Sequence, residues 1–132
     1  MKLNPDCIRA ILMYSEDHTT VSDTCSFDFE KHPDELFAYT NDEILYHLRQ
    51  CNESGFFIGF KEYISGDVVI RDISPRAHEF LANIRKDTIW NGVKGVATKI
   101  GSVSLNALIQ IASNVVTELI KAQFGLSGAA SF

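Results

Sequence analysis

Residues 40–75, TNDEILYHLRQCNESGFFIGFKEYISGDVVIRDISP, hold the pattern on which the fold turns. Thr40 or Asn41 can cap a helix, and Glu43, three residues after Thr40, completes a capping box. Ile44, Leu48 and Cys51 recur at i, i+4 and i+7, one apolar stripe, and Gly55 falls where a left-handed residue ends a helix. FFIGFKEY is aromatic and β-rich, Ser65-Gly66-Asp67 supplies turn chemistry, and VVIRDI is a second β run. The spacing predicts an antiparallel hairpin over residues 56–73. Phe56 and Phe57 are adjacent, so on a strand they point to opposite faces and one of them needs a cover of its own.

Upstream, Asn4 is a good N-cap and Pro5 suits the first helical position, where its missing N–H costs nothing. Ile8, Ile11, Leu12 and Ser15 follow the helical period until about Asp17. Residues 18–24, HTTVSDT, read as loop. Cys25, Phe27 and Phe29 then alternate with Ser26, Asp28 and Glu30, a half-buried strand that Pro33 ends. Residues 34–39 fit either a short helix or an extended run.

Downstream, Ser74 caps a helix with Pro75 at its first position and Ala77, Phe80, Leu81 and Ile84 turned inward. A further helix starts near Thr88, with Trp90, Val93 and Ala97 on its apolar side. From Ser102 to Phe124, Leu105, Leu108, Ile109, Ala112, Val115, Val116, Leu119 and Ile120 trace a broad helical face. The span from Gly101 to Thr117 carries no charge, but Asn106, Gln110, Ser113, Asn114, Thr117 and Lys121 form a polar stripe opposite that face, so amphipathic packing is expected rather than a membrane span. Gly125 and Leu126 read as a helix stop. The expected organisation is a domain over residues 1–87, a helical extension over 88–126 that packs or oligomerises, and a flexible tail at 127–132.

The chain has 132 residues, 45% of them apolar, with 12 Lys+Arg against 17 Asp+Glu. That composition belongs to a globular chain and excludes disordered or collagen-like classes. Residues 1–67 carry 5 basic and 13 acidic side chains, a balance of −8, while residues 68–132 carry 7 and 4, giving +3. So small a basic excess argues against strong nonspecific binding to nucleic acid. Three cysteines, Cys7, Cys25 and Cys51, are an odd number at scattered spacings and make no disulfide framework. Asp6 and Arg9 interrupt the apolar residues of the N-terminus, which therefore does not read as a secretory signal. A reducing, cytoplasmic location is expected.

Helix, strand, capped helix, glycine, hairpin and helix, in that order, is the layout of a winged helix, in which the hairpin is the wing; the fold class expected is α+β, with additional C-terminal helices. EILYHLRQCNESGFF resembles the recognition-helix segment of winged-helix regulators, through His47, Leu48, Cys51, Ser54 and Gly55. ISPRAHEFL, residues 73–81, is similar to the segment that closes the wing. Over nearly its whole length the chain resembles domain-of-unknown-function family 2513, small bacterial and phage or prophage proteins, through LNPDCIRAILMYSED, YTNDEILYHLRQCNESGFF, ISPRAHEFLANIRKDTIW and GSVSL. That resemblance implies a winged-helix-like fold and a mobile-element setting, and it carries no established activity. Only residues 33–39 could supply the first helix of a helix-turn-helix pair.

A DNA-reading winged helix lays the outward face of its second helix in the major groove while the wing meets phosphates. The outward candidates here are Asn41, Tyr46, Arg49 and Gln50, with Leu45 among them, and Lys61 and Arg71 on the hairpin could meet the backbone. Asp42, Glu43, Glu53 and Asp67 surround them, so double-stranded DNA and another protein both stand as partners. Association as a homodimer would use Leu105, Leu108, Ile109, Ala112, Val116 and Leu119. Glu43, His47 and Cys51 lie at i, i+4 and i+8, a spacing that permits a metal. However, no CxxC, HxxxH or second paired cluster completes a four-ligand shell, and Cys51 fills a core position. Cys25 with His18 or His32 lacks an orienting group and an oxyanion site. No catalytic residue, metal or cofactor is expected, and the protein reads as non-enzymatic.

Overall fold

A computed structural model describes the backbone of residues 1–101 and 103–131, and the side chains through Phe124 apart from Ser102. It is a mixed α+β structure of five α-helices and two small antiparallel sheets. Helix α1, Pro5–Asp17, starts as expected, with the Asn4 side chain accepting from the Asp6 N–H. It buries Cys7, Ile8, Ile11, Leu12 and Ser15, and the Ser15 hydroxyl donates to the Ile11 carbonyl at 2.7 Å.

Strand β1, Cys25–Phe27, points Cys25 and Phe27 inward. It stops earlier than Phe29 and Pro33 suggest. The Asp28 carboxylate accepts from the Glu30 N–H at 2.9 Å and turns the chain out of the sheet first. The ambiguous residues after it form a single 3-10 turn, Asp34–Leu36, which buries Leu36.

Helix α2 is Asn41–Glu53, and the hairpin consists of β2 (Phe57–Ile58), β3 (Lys61–Glu62), β4 (Val68–Ile70) and β5 (Asp72–Ile73). β2 pairs with β5 and β3 with β4, both antiparallel, and β1 adds to β4, giving the order β1-β4-β3. The pairings Phe57↔Ile73, Ile58↔Asp72, Lys61↔Val69 and Glu62↔Val68 all keep one register, so residues 57–73 are a single ribbon with no inserted residue. Its ladder breaks at Gly59–Phe60, where Gly59 has φ 69°. Across that break the buried side changes, from Phe57 and Ile73 to Val68 and Ile70. The two adjacent phenylalanines are both covered: Phe56 stacks on Phe80 at 5.5 Å and Phe57 on Phe60 at 5.9 Å.

Helix α3, Pro75–Ile84, buries Ala77, Phe80, Leu81 and Ile84. The chain divides into two compact units, Met1–Leu81 and Ala82–Phe132, so the boundary falls inside α3 rather than at the expected residue 87. In the second unit, α4 (Asp87–Ile100) and α5 (Leu105–Ser131) pack on each other. Trp90, Val93 and Ala97 are buried as expected. Gly125 does not stop α5, which continues to Ser131. A helical glycine costs only about 1 kcal/mol relative to alanine, and Ala129 and Ala130 favour helix. Of the expected loose tail at 127–132, residues 127–131 thus continue the helix, and Phe132 lies outside the described residues. Among the described residues no helix is long and apolar enough to cross a membrane.

Candidate functional site

The face built by α2 and the hairpin is held by local chemistry at both ends. At the start of α2 the Thr40 hydroxyl accepts from the Glu43 N–H and the Glu43 carboxylate from the Thr40 N–H, each at 3.1 Å. At its end, Phe56 N–H donates to the Cys51 carbonyl and Gly55 N–H to Asn52, with Gly55 at φ 78°. This is a Schellman closure, and it needs a residue without a Cβ penalty at Gly55. Ser74 then shuts the base of the ribbon. Its N–H donates to the Phe56 carbonyl at 2.8 Å, its hydroxyl donates to the Gly55 carbonyl at 2.6 Å, and its oxygen accepts from the Ala77 N–H. At the far end Tyr63 N–H donates to Asp67 and Gly66 N–H to Tyr63, a tight three-residue tip that leaves Ile64 fully exposed.

The structure does not gather the six expected DNA contacts. Arg49 is exposed but engaged: its Nε donates to Glu62 Oε1 at 2.7 Å and an Nη to Oε2 at 3.0 Å, a bidentate pair. The hydrogen bonds and charge of this pair hold the Glu62 carboxyl below its usual range and the guanidinium above its own. Asn41 is tied down, its Oδ1 2.8 Å from the His32 ring and its Nδ2 donating to the Phe29 carbonyl. Tyr46 is half-buried, edge-on to His47 at 5.0 Å, and Gln50, one turn further along the same helix, is half-buried too. Strand alternation puts Lys61 and Arg71, with Val69 between them in register, on the face of the ribbon opposite Glu62. Lys61 lies over the Tyr63 ring at 5.3 Å. The two hairpin cations therefore share a face, and Arg49 faces away from them.

Glu62 is the residue that the sequence reading missed. Alternation would have found it, since it must face oppositely to Lys61 and so toward α2. His47 was missed as a core residue. It is 1% exposed, its Nδ1 donates to the Glu43 carbonyl at 2.6 Å, and its Nε2 accepts from the Asn4 N–H at 2.8 Å. A carbonyl can only accept and an amide N–H can only donate, so the ring is the neutral Nδ1–H tautomer with both nitrogens occupied. Burial lowers its pKa, while the Glu43 carbonyl and carboxylate oppose that shift. Neither nitrogen is available to a metal, and among the described residues no group of three His, Cys, Asp or Glu could hold one. Cys7, Cys25 and Cys51 are all buried and free; burial pushes the Cys7 and Cys25 thiols up to about 12 and raises Cys51 as well. Such thiols are not nucleophiles.

Of the expected association surface, Leu105, Leu108 and Ala112 are already buried within the chain. Only Ile109, Val116 and Leu119 remain reachable, and Ile111, which was not expected, is buried with the first three.

The molecule is an α+β protein in which a capped helix leads into a single-register ribbon. It belongs to the family described as Hypothetical protein (DUF2513), which matches residues 2–104. An uncharacterized protein of Haemophilus influenzae is 26% identical over 123 residues, covering 91% of this chain and 99% of the relative. No solved structure matches the chain.

Proposed function

We propose that residues 1–81 are a winged-helix domain of a non-enzymatic, cytoplasmic protein of phage or prophage setting, and that α2 and the hairpin contact another protein rather than DNA. What supports the winged helix is element order together with the sheet order β1-β4-β3: a strand between the first helix and α2 joins a hairpin that follows α2. The 3-10 turn at Asp34–Leu36 stands where such a domain has its second helix.

One observation carries the choice of partner. Arg49, the cation best placed on the outward side of α2, is already neutralised by Glu62. Around it Asp42 and Glu53 are exposed, and residues 1–81 carry 15 acidic against 7 basic side chains, a balance of −8. A phosphate backbone would meet repulsion there. The hairpin instead presents Tyr63 and Ile64 at its tip, an apolar anchor of the kind protein interfaces use. Lys61 and Arg71 sharing one face is the observation that favours double-stranded DNA as the second reading.

An electrophoretic mobility shift with mixed-sequence duplex at low salt separates the two. No shift is expected for the native chain. A shift that weakens steeply with salt and is lost in Lys61→Ala/Arg71→Ala would reject the protein reading in favour of DNA.

A further inference from the structure

We propose that the chain forms a two-fold dimer through its second unit, with the overhanging half of α5 from one copy lying in the α4–α5 groove of the other. The groove has a volume of about 650 Å³; Val96 and Ile100 of α4 line it with Ile111, Val115 and Leu119 of α5, and Gln110, Asn114 and Glu118 of α5 also border it.

Helix lengths create the overhang. α4 has 14 residues and α5 has 27, about 21 Å and 40 Å at 1.5 Å per residue. Residues 101–104 are too short a connection for anything but antiparallel neighbours. The first half of α5 therefore uses up α4, and every described residue of α5 from Thr117 onward is exposed. Leu119, Ile120 and Phe124 stand 45%, 52% and 71% exposed on that half. A helical segment this short is marginal in water unless its apolar side is covered.

The α5 side of this face is close to neutral. The only charged side chains of α5 are Glu118 and Lys121, which lie 3.6 Å apart and cancel. On α5 a second copy thus meets no net charge, while α4 adds Asp87, Lys94 and Lys99; a partner recognised by a dense charged patch finds none on α5. Groove and overhang occur on the same chain, and a two-fold contact satisfies both at once. A small apolar ligand would fill the groove and still leave the overhang in water. The face is also large enough: two helix widths along α4 plus one along the overhang give on the order of 600 Å² of flat projection. Side-chain relief brings that toward the roughly 800 Å² per partner of a stable interface. Two α4–α5 hairpins joined this way make a four-helix bundle.

Sedimentation equilibrium on the full chain across the micromolar range tests this. The expected mass is twice 14.8 kDa. Ile100→Lys alone and Leu119→Lys/Phe124→Lys together replace exposed residues, so the far-UV spectrum stays native while the dissociation constant rises by at least about 30-fold. Ile64→Lys, at the tip of the hairpin, leaves the dimer intact. A monomer at every concentration overturns the proposal, whether the groove proves empty or filled by another molecule, and so does a dimer indifferent to the α4 and α5 substitutions.

Discussion

His47 ties two helices through one ring. Its Nδ1–H serves the α2 backbone and its Nε2 receives the first free N–H ahead of α1. Protonating Nε2 would remove that acceptor and set a buried N–H against another donor. Burial holds the folded pKa below the ordinary value, so between the two values the unfolded chain binds more protons than the folded one. The contribution of His47 to stability is therefore complete above about pH 6.5 and is lost as pH falls below it. Urea midpoints are expected to drop between pH 8 and pH 5 more in the native chain than in His47→Gln, which does not titrate. Equal drops would remove the argument. The sequence showed His47 beside Glu43 and Cys51 at a helical spacing that permits a metal but completes no ligand shell, and it did not show what His47 does instead. What decides the matter is Asn4, 43 residues away, and no local pattern carries that contact.

The elements that local chemistry dictates were legible. The α2 capping box, the glycine closure and the hairpin over 56–73 could all be read from residues 40–75, because caps and turns act within a few positions of themselves. Three features escaped that reading: the early end of β1 at Asp28, the shrinkage of residues 34–39 to one 3-10 turn, and the break in the ribbon at Gly59. Each depends on what packs nearby. An added Cβ at Gly59 would sit 2.9 Å from the Arg71 Cβ on the facing strand, besides straining a positive φ. Gly59→Ala is therefore expected to cost about 2 kcal/mol or more in urea unfolding. Gly92→Ala, in α4 with nothing within 4 Å, is expected to gain about 0.5–1 kcal/mol. Equal effects at both positions would contradict the close approach of the two strands.

For the molecule as a whole, charge patterning was readable and its local cancellation was not. Counting acidic and basic residues separates an acidic unit 1–81 from residues 82–132, which carry 5 basic and 2 acidic side chains, a balance of +3. Only the fold brings Arg49 onto Glu62, and with that pair the candidate DNA face loses its best cation. A unit at −8 repels itself. Raising sodium chloride from about 20 to about 300 mM shortens the screening length from roughly 20 Å to roughly 6 Å. The melting temperature is then expected to rise by about 2–4 °C. A fall would mean that specific ion pairs outweigh the net repulsion. The α5 surface was half legible for the same reason: its periodicity marks the apolar face, but how far α4 covers it follows from the two helix lengths after folding.

Ser74 decides where the ribbon is held. Because it locks the root of the ribbon to the end of α2 and the start of α3, the ribbon is anchored at its base rather than at the outer loop Ile64–Gly66. Substitution of the fully exposed Ile64 is therefore expected to leave the scaffold in place.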